Sequence, residues 1–201
     1  MPDERDALLA ALSPHIRDVR VLGAIAAVPR DAFVPDALRA HAWENTSLPI
    51  EAGQTISQPV VVARMCELLE LDGSETVLDV GTGSGYHEAV LAQLARRVVS
   101  IERHGELSEL AAGRLRAAGA DGVELVVGDG TLGWPPAAPY AAINVAAAAR
   151  RIPAPLAAQL ADGGRLVMPS RGRLVRLRRS GGELVHERFE GVRFVPLVAG
   201  E

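Results

Sequence analysis

The stretch Val77-Leu78-Asp79-Val80-Gly81-Thr82-Gly83-Ser84-Gly85-Tyr86 decides the fold, because an apolar strand runs into alternating glycines and then into a helix-forming segment. Such a strand, turn and helix lets the backbone approach a ligand tightly at a helix N-terminus. A dinucleotide fingerprint needs its third glycine three residues after the second. Tyr86 stands there instead, and the glycines fall at 81, 83 and 85, so NAD is disfavoured. Asp79 puts a carboxylate at the strand tip, where a phosphate would be repelled and a cation welcomed.

Outward from this loop, short Val-, Ile- and Leu-rich runs alternate with amphipathic segments of helix length. Strands are predicted at Thr76–Val80, 98–102, Val123–Val127, Tyr140–Val145 and 165–168, with helices at about 85–95, 106–118 and 155–161. That alternation predicts a parallel sheet, doubly wound because crossovers are right-handed. Upstream, residues 1–45 read as helical, with Leu8, Leu9 and Leu12, then Val19, Leu22, Ile25 and Ala26, at three- and four-residue steps. Pro29 and Pro35 end these helices, residues 47–59 form an ordered loop, and a helix begins near Pro59 with Val61, Val62, Met65, Leu68 and Leu69 on its apolar side. Beyond Pro169 the pattern becomes strand (174–178), Ser180-Gly181-Gly182 turn and strand (183–189), an antiparallel hairpin at the sheet edge; 192–197 is a candidate last strand.

Composition bounds the function. The chain has 201 residues, 48% hydrophobic and 23% charged, which fits one folded domain and excludes disorder. All 21 basic residues are Arg, so a Lys Schiff base or a P-loop lysine is excluded. A net charge of −4 argues against a general nucleic-acid binder. Cys66 is the only cysteine, so no intrachain disulfide and no Cys-rich zinc site can form, and the five His show no metal-ligand spacing; no metal is expected. The acidic run from Met1 to Asp6 lacks signal-peptide character and no apolar stretch is long enough to span a bilayer, so the expectation is a cytoplasmic protein with no membrane role.

Acids recur where the next strands end: Glu102 after the second and Asp129, in Gly128-Asp129-Gly130, after the third. In an open α/β sheet the ligand lies across the carboxyl ends of the strands, and an acid after strand two can accept hydrogen bonds from ribose hydroxyls. A cationic nucleoside fits best, and S-adenosylmethionine, with its sulfonium, ammonium and ribose diol, answers each feature. Each acid alone could be a solvated strand-end residue; their joint register with the glycine turn is what points to a site.

The glycine and acid spacing resembles the Rossmann-like methyltransferases. Over nearly the whole chain, Ala26-Ala27-Val28-Pro29-Arg30, Leu48-Pro49-Ile50, Gly53-Gln54-Thr55-Ile56-Ser57-Gln58-Pro59, Ser100-Ile101-Glu102-Arg103, Gly133-Trp134 and Phe194-Val195-Pro196-Leu197 resemble the protein-L-isoaspartate O-methyltransferase family. The resemblance implies a doubly wound, Rossmann-like, S-adenosylmethionine-dependent methyltransferase fold with N-terminal helices and a C-terminal antiparallel hairpin. A single domain is expected, divided into a helical and acceptor-loop part (1–72), a donor-binding core (73–169) and a hairpin with tail (170–201). The implied activity is methylation of L-isoaspartyl, and sometimes D-aspartyl, carboxylates in damaged proteins, with a succinimide following. By the same resemblance Gln54, Thr55, Ile56, Asp79, Gly81, Thr82, Gly83, Ser84, Gly85, Glu102, Arg103, Asp129 and Gly130 hold the donor, and Ser57 is the catalytic serine, orienting the acceptor. Ser57 could instead cap the helix at Pro59. Tyr86 could touch the ligand or pack in the core, and Trp43 and Trp134 read as packing residues.

Glu51-Ala52, Ala141, Asn144, Ala146, Arg150-Arg151 and Ser170-Arg171 depart from the family pattern, on the expected acceptor side. A Glu51 carboxylate about 6 Å from an anionic acceptor would repel it by roughly 3 kcal/mol at an effective dielectric of 20, unless it faces water. A dedicated peptide or small-molecule acceptor, and a donor-binding protein without turnover, therefore stand as alternatives. The arginines at 171, 173, 176, 178 and 179 read as keeping an edge strand soluble and unpaired, and Cys66 as apolar filler without an adjacent base. The small domain and acidic surface are compatible with a monomer.

Overall fold

The computed structural model describes residues 3–199, so Met1 and Pro2 of the acidic N-terminal run lie outside it. Helices α1 (Glu4–Leu12) and α2 (Val19–Ala27) lead through two 3-10 turns to a two-residue ladder, β1 (Leu48–Pro49) with β2 (Thr55–Ile56), and then to α3 (Pro59–Leu69). The α/β part follows as β3 (Thr76–Val80), α4 (Tyr86–Ala92), β4 (Arg97–Glu102), α5 (Gly105–Ala117), β5 (Val123–Val127), β6 (Tyr140–Val145), α6 (Ala154–Ala158) and β7 (Leu160–Ser170). It closes with β8 (Arg173–Ser180) and β9 (Glu183–Gly191).

The large sheet has the order β5-β4-β3-β6-β7-β8-β9, parallel as far as β7 and antiparallel at β8 and β9. From β3 the chain winds outward to β5 and then returns to place β6 on the other side of β3. The order therefore reverses between β3 and β6, where an open α/β sheet leaves a crevice at its carboxyl ends. Strands β3, β4 and β6 are buried on both faces, as crossover helices require, while β5 at the sheet edge is partly exposed. Val77, Val98 and Ala142 face a core shared with α1–α5, while their neighbours Leu78, Val99 and Ile143 face a second core closed by Leu156 of α6. Register sets Asp79 level with Ser100 on one side and Asn144 on the other, so three polar side chains share one level in the middle of the sheet.

The structure corrects several expectations. Residues 192–197 form no strand; Pro196, which has no N–H, makes one isolated bridge to Ala148. Strand β7 begins five residues before the expected 165, because Tyr140 pairs with Leu160 across an irregularity in the ladder. On α2 the buried face is Val21, Ala24 and Ile25, whereas Val19 is 76% exposed. The arginine-rich strand β8 is not an unpaired edge: it lies between β7 and β9, and Arg176 and Arg178 both pair with Glu70 and Glu187. Cys66 is buried but has a base beside it, its Sγ lying 3.5 Å from His87 Nε2.

Candidate active site

The glycine loop closes on itself and on the next strand. Gly81 N–H donates to Ile101 O at 2.9 Å and Gly85 N–H to Thr82 O at 3.0 Å, and Gly81, Gly83 and Gly85 all have positive φ, which costs glycine alone nothing. Glu102 pins the loop from β4: one carboxylate oxygen accepts from Gly83 N–H and the other from His104 N–H, both at 3.0 Å, and the side chain faces a cavity of about 270 Å³. At the third strand tip, a Cβ on Gly130 would stand 2.4 Å from Val80 Cγ1, so only glycine lets the 3-10 turn after Asp129 approach the floor this closely.

Most of the residues expected to hold the donor meet around this cavity. Gln54, Thr55, Ile56, Ser57, Gly81, Thr82, Gly83, Ser84, Glu102, Arg103 and Gly130 line it, joined by Tyr86, His87, Ala146 and the tail residues 195–198. Gly85 stands behind the loop against Ala111 and Leu115 of α5. Asp79 and Asp129 are not among the lining residues. Asp129 caps the 3-10 turn, accepting from Thr131 N–H at 2.8 Å. Asp79 is fully buried beneath the floor rather than presented at a tip.

Asp79 belongs to a polar cluster at the heart of the sheet. Its Oδ1 accepts from Asn144 Nδ2 at 2.5 Å, and Ser100 Oγ stands 3.4 Å from its Oδ2 and donates to Glu88 Oε1 at 2.8 Å. Thr82 Oγ1 lies 2.6 Å from Ser100 Oγ, which ties the glycine loop into the same cluster. Glu88 is fully buried, and burial first and the Asp79 charge second push its carboxyl well above the usual range. Burial holds the His87 ring below its usual range and so neutral, and it approaches Asn144 Nδ2 at 3.3 Å.

Sequence reasoning left out Glu88, His87 and Asn144 as members of this cluster, and it also left out Arg30. Arg30 is fully buried, donates to Ala42 O and Thr46 O at 2.9 and 3.2 Å, and stacks 4.7 Å from the centre of the Tyr86 ring. It braces the loop leading to Ser57 against a wall of the cavity. A charged residue inside an otherwise apolar run, as in Ala-Val-Pro-Arg and Gly-Tyr-His-Glu, was the available signal.

A second depression, about 780 Å³, adjoins the first, and Thr55, Ser57 and Val195 line both. Ser57 does not cap α3: the N-cap position is Gln58, no side chain caps from there, and Asn45 Oδ1 accepts from Val60 N–H at 3.1 Å instead. Asn45 O also accepts from Gln58 Nε2 at 2.9 Å, closing a clasp between loop and helix. Arg193 is the charged side chain in the groove and makes no ion pair among the described residues. Of the departures from the family pattern, Glu51, Ala141, Asn144, Ala146 and Ser170 are all absent from the groove lining. Glu51 turns to Arg114 of α5, 2.7 Å away, and that guanidinium outweighs burial to hold its carboxyl below the usual range, so the repulsion expected of it does not arise.

A parallel sheet whose order reverses over a glycine-loop cavity, with a carboxylate at the tip of the second strand, defines the Rossmann-like methyltransferases as a class. A family model described as protein-L-isoaspartate(D-aspartate) O-methyltransferase matches residues 4–201. The protein-L-isoaspartate O-methyltransferase 1 of Rhodopseudomonas palustris is 52% identical over 192 residues, covering 92% of this chain and 78% of that relative. The enzyme of the same name from Methanoregula boonei is 52% identical over 187 residues, covering 91% and 86%. A solved protein-L-isoaspartate O-methyltransferase superposes with a TM-score of 0.86 at 27% identity, over 98% of this chain and 66% of that one. For the fold alone, a Plasmodium falciparum structure described as a protein-L-isoaspartate O-methyltransferase in complex with S-adenosyl-L-homocysteine gives 0.84 at 23% identity, over 98% and 99%. The chain belongs to the protein-L-isoaspartate(D-aspartate) O-methyltransferase family.

Proposed function

We propose that this chain methylates the side-chain-derived carboxylate of L-isoaspartyl residues, and D-aspartyl residues, in damaged polypeptides, with Ser57 orienting the acceptor. The observation that carries the reading is the position of Ser57, Thr55 and Val195 on the boundary between the glycine-loop cavity and the adjoining groove. Two hydroxyls, those of Ser57 and Thr55, thus stand on the boundary between the two spaces, and the resemblance assigns the orienting role to Ser57.

The residues around the cavity fit S-adenosylmethionine. Glu102 offers a carboxylate already fixed by two backbone N–H groups, leaving oxygen lone pairs for ribose hydroxyls, and Gly81 and Gly83 line the cavity without side chains. Asp79 contributes from below as the buried acid of the cluster, steadying the loop through Ser100 and Thr82. Bound there, S-adenosylmethionine supplies an electrophilic methyl group, which passes from sulfur to a carboxylate oxygen while the S–C electron pair returns to sulfur. A carboxylate with a pKa of about 4 is already ionised at neutral pH, so the protein has no proton to remove and needs no general base.

What the chain supplies is alignment, worth roughly 7–11 kcal/mol in favourable cases, and a site that excludes water. Ser57 Oγ–H donates to the acceptor carboxylate and fixes its angle of approach, and the Arg193 guanidinium attracts the same negative charge into the groove. The adjacent backbone amide nitrogen then attacks the ester carbonyl and expels methanol, closing a succinimide whose hydrolysis returns part of the material to normal aspartate. The setting we assign is a cytoplasmic monomer acting on polypeptides and not on nucleic acid. Supporting this are the net charge of −4, a single buried cysteine, and the lack, among the described residues, of a helix long and apolar enough to cross a membrane.

The test pairs isoaspartyl and aspartyl versions of one peptide with labelled donor. Ester is expected on the isoaspartyl peptide alone. Ser57→Ala should lower kcat about 10- to 100-fold, the worth of one hydrogen bond to a charged group, while melting temperature and donor affinity stay as they were. A variant that melts earlier but turns over normally would return Ser57 to a structural role.

A further inference from the structure

Glu51 departs from the family pattern, and the acceptor groove leaves it unused: its carboxylate reaches across to Arg114 of α5 instead. Residues 48–56 form a small hairpin, β1 and β2 joined by a tip at 50–54. The tip is closed on itself, with Ile50 N–H donating to Gln54 O at 2.9 Å and Gln54 N–H to Glu51 O at 3.1 Å. Gly53, Gln54, Thr55 and Ile56 of this hairpin, with Ser57 just beyond it, form one side of the donor cavity. Ile50 lies over the glycine loop, its Cδ1 3.7 Å from where a Cβ on Gly83 would stand. Helix α5 braces the same loop from behind, where Ala111 and Leu115 pack on Gly85. The ion pair thus ties a side of the cavity to the helix that supports its floor.

The tie is built to come undone. Arg114 Nη2 donates to Glu51 Oε1 at 2.7 Å, but Glu51 Oε2 and Arg114 Nη1 are buried with no hydrogen-bond partner. Buried polar atoms left unpaired cost free energy that water returns once they are exposed, so separating the pair costs less than its short distance suggests. The backbone acts in the same direction. Ala52 has φ 54° and ψ 27°, a left-handed conformation that disfavours a residue with a Cβ and lasts only where the surroundings impose it. The contact of its neighbour Glu51 with α5 is one of the constraints that impose it.

We infer that Arg114 is a positioning residue for methyl transfer: by holding Glu51 it keeps the hairpin tip, and with it residues 53–57, against the donor cavity, and separation of this pair is the step that admits the donor and releases its demethylated product. The inference rests on the donor reading of that cavity.

The test follows S-adenosyl-L-homocysteine leaving the immobilised full-length chain by surface plasmon resonance. Glu51→Gln and Arg114→Met should each speed dissociation about fivefold, the upper end of what a partly exposed ion pair supplies. The exchanged pair, Glu51→Arg with Arg114→Glu, should return the rate to within about twofold of the parent, a coupling that two independent structural effects would not show. Raising salt from about 0.05 to 0.5 M should speed release from the parent and leave Glu51→Gln unchanged, because the ligand carries no net charge and only the pair is screened. Glu51→Gln replaces the carboxylate with an amide of the same shape, so it keeps the test valid should Arg114→Met disturb α5. Lower melting temperatures with unchanged dissociation rates, or an exchanged pair no better than the single variants, overturn the inference and leave the donor reading standing. A parent chain that does not bind S-adenosyl-L-homocysteine overturns both.

Discussion

The donor cavity and the acceptor groove share three residues yet are built in opposite ways. The floor of the cavity is one local turn, with backbone N–H groups fixed by Glu102 and a buried cluster below, while residues 53–57 and 195–198 border its sides. The groove is assembled from residues far apart in sequence, Ser47 to Val61, Gly172 and 191–195, and it is wider and more open. On the reading proposed above, donor recognition rests chiefly on the sheet and its glycine loop, and acceptor recognition on the surrounding chain segments.

The sharpest way to break that contrast is Glu102→Ala. It leaves two backbone N–H groups without their acceptor and removes the anion facing the cavity, and hydrogen bonds to charged groups are worth about 1.5–3 kcal/mol each. Donor affinity in titration calorimetry should fall about 100-fold or more. On the other side, Arg193→Glu should raise KM for isoaspartyl peptides about tenfold and leave donor affinity unchanged; an equal loss of both would mean that the two sites are not separable.

Two effects on stability extend the comparison. The Glu88 carboxyl is raised in the folded state, so as pH climbs above the unfolded value near 4.5 the native protein must keep a proton that the unfolded chain has released, and stability declines with pH. Glu88→Gln removes this linkage, and the gap in melting temperature should grow by several degrees in favour of the variant between pH 5 and 8. At the far edge of the sheet the sign reverses. Hydrogen bonding and charge from Arg176, then Arg178, hold the Glu187 carboxyl down to about 2, so its contribution is present above the unfolded value of 4.5 and is lost as pH falls toward 2. Glu187→Gln should lower the melting temperature by about 2 °C at pH 7, as exposed ion pairs are worth at most about 1 kcal/mol, with the difference vanishing near pH 2.

The same division explains what could be read from the residues alone. The donor side was legible because its signals are local: Val77 to Tyr86 shows strand, turn and helix in one run, and Glu102 falls at the end of the next apolar stretch. Asp79 lies beneath the cavity and does not line it, since a strand residue cannot declare whether its side chain faces a ligand or the middle of the sheet. Asn144 read only as a departure from the family pattern and Glu88 was not singled out, because each is a polar residue whose partner lies in another strand or helix; only register brings Asp79, Ser100 and Asn144 level. Residues 192–197 had the apolar pattern of a strand, yet β9 already completes the sheet and Pro196 cannot donate to a ladder. The arginines of β8 looked like edge protection because their acids, Glu70 and Glu187, lie on α3's C-cap and on the next strand.

The clasp made by Asn45 has a consequence for how this protein can change. With the start of α3 closed by a side chain borrowed from fifteen residues upstream, position 57 is relieved of capping that helix. A library randomised at that one codon would sample acceptor chemistry at nearly constant thermal robustness, whereas the same library at position 45 would mostly yield chains that melt early. Innovation and integrity are assigned to different residues of one loop.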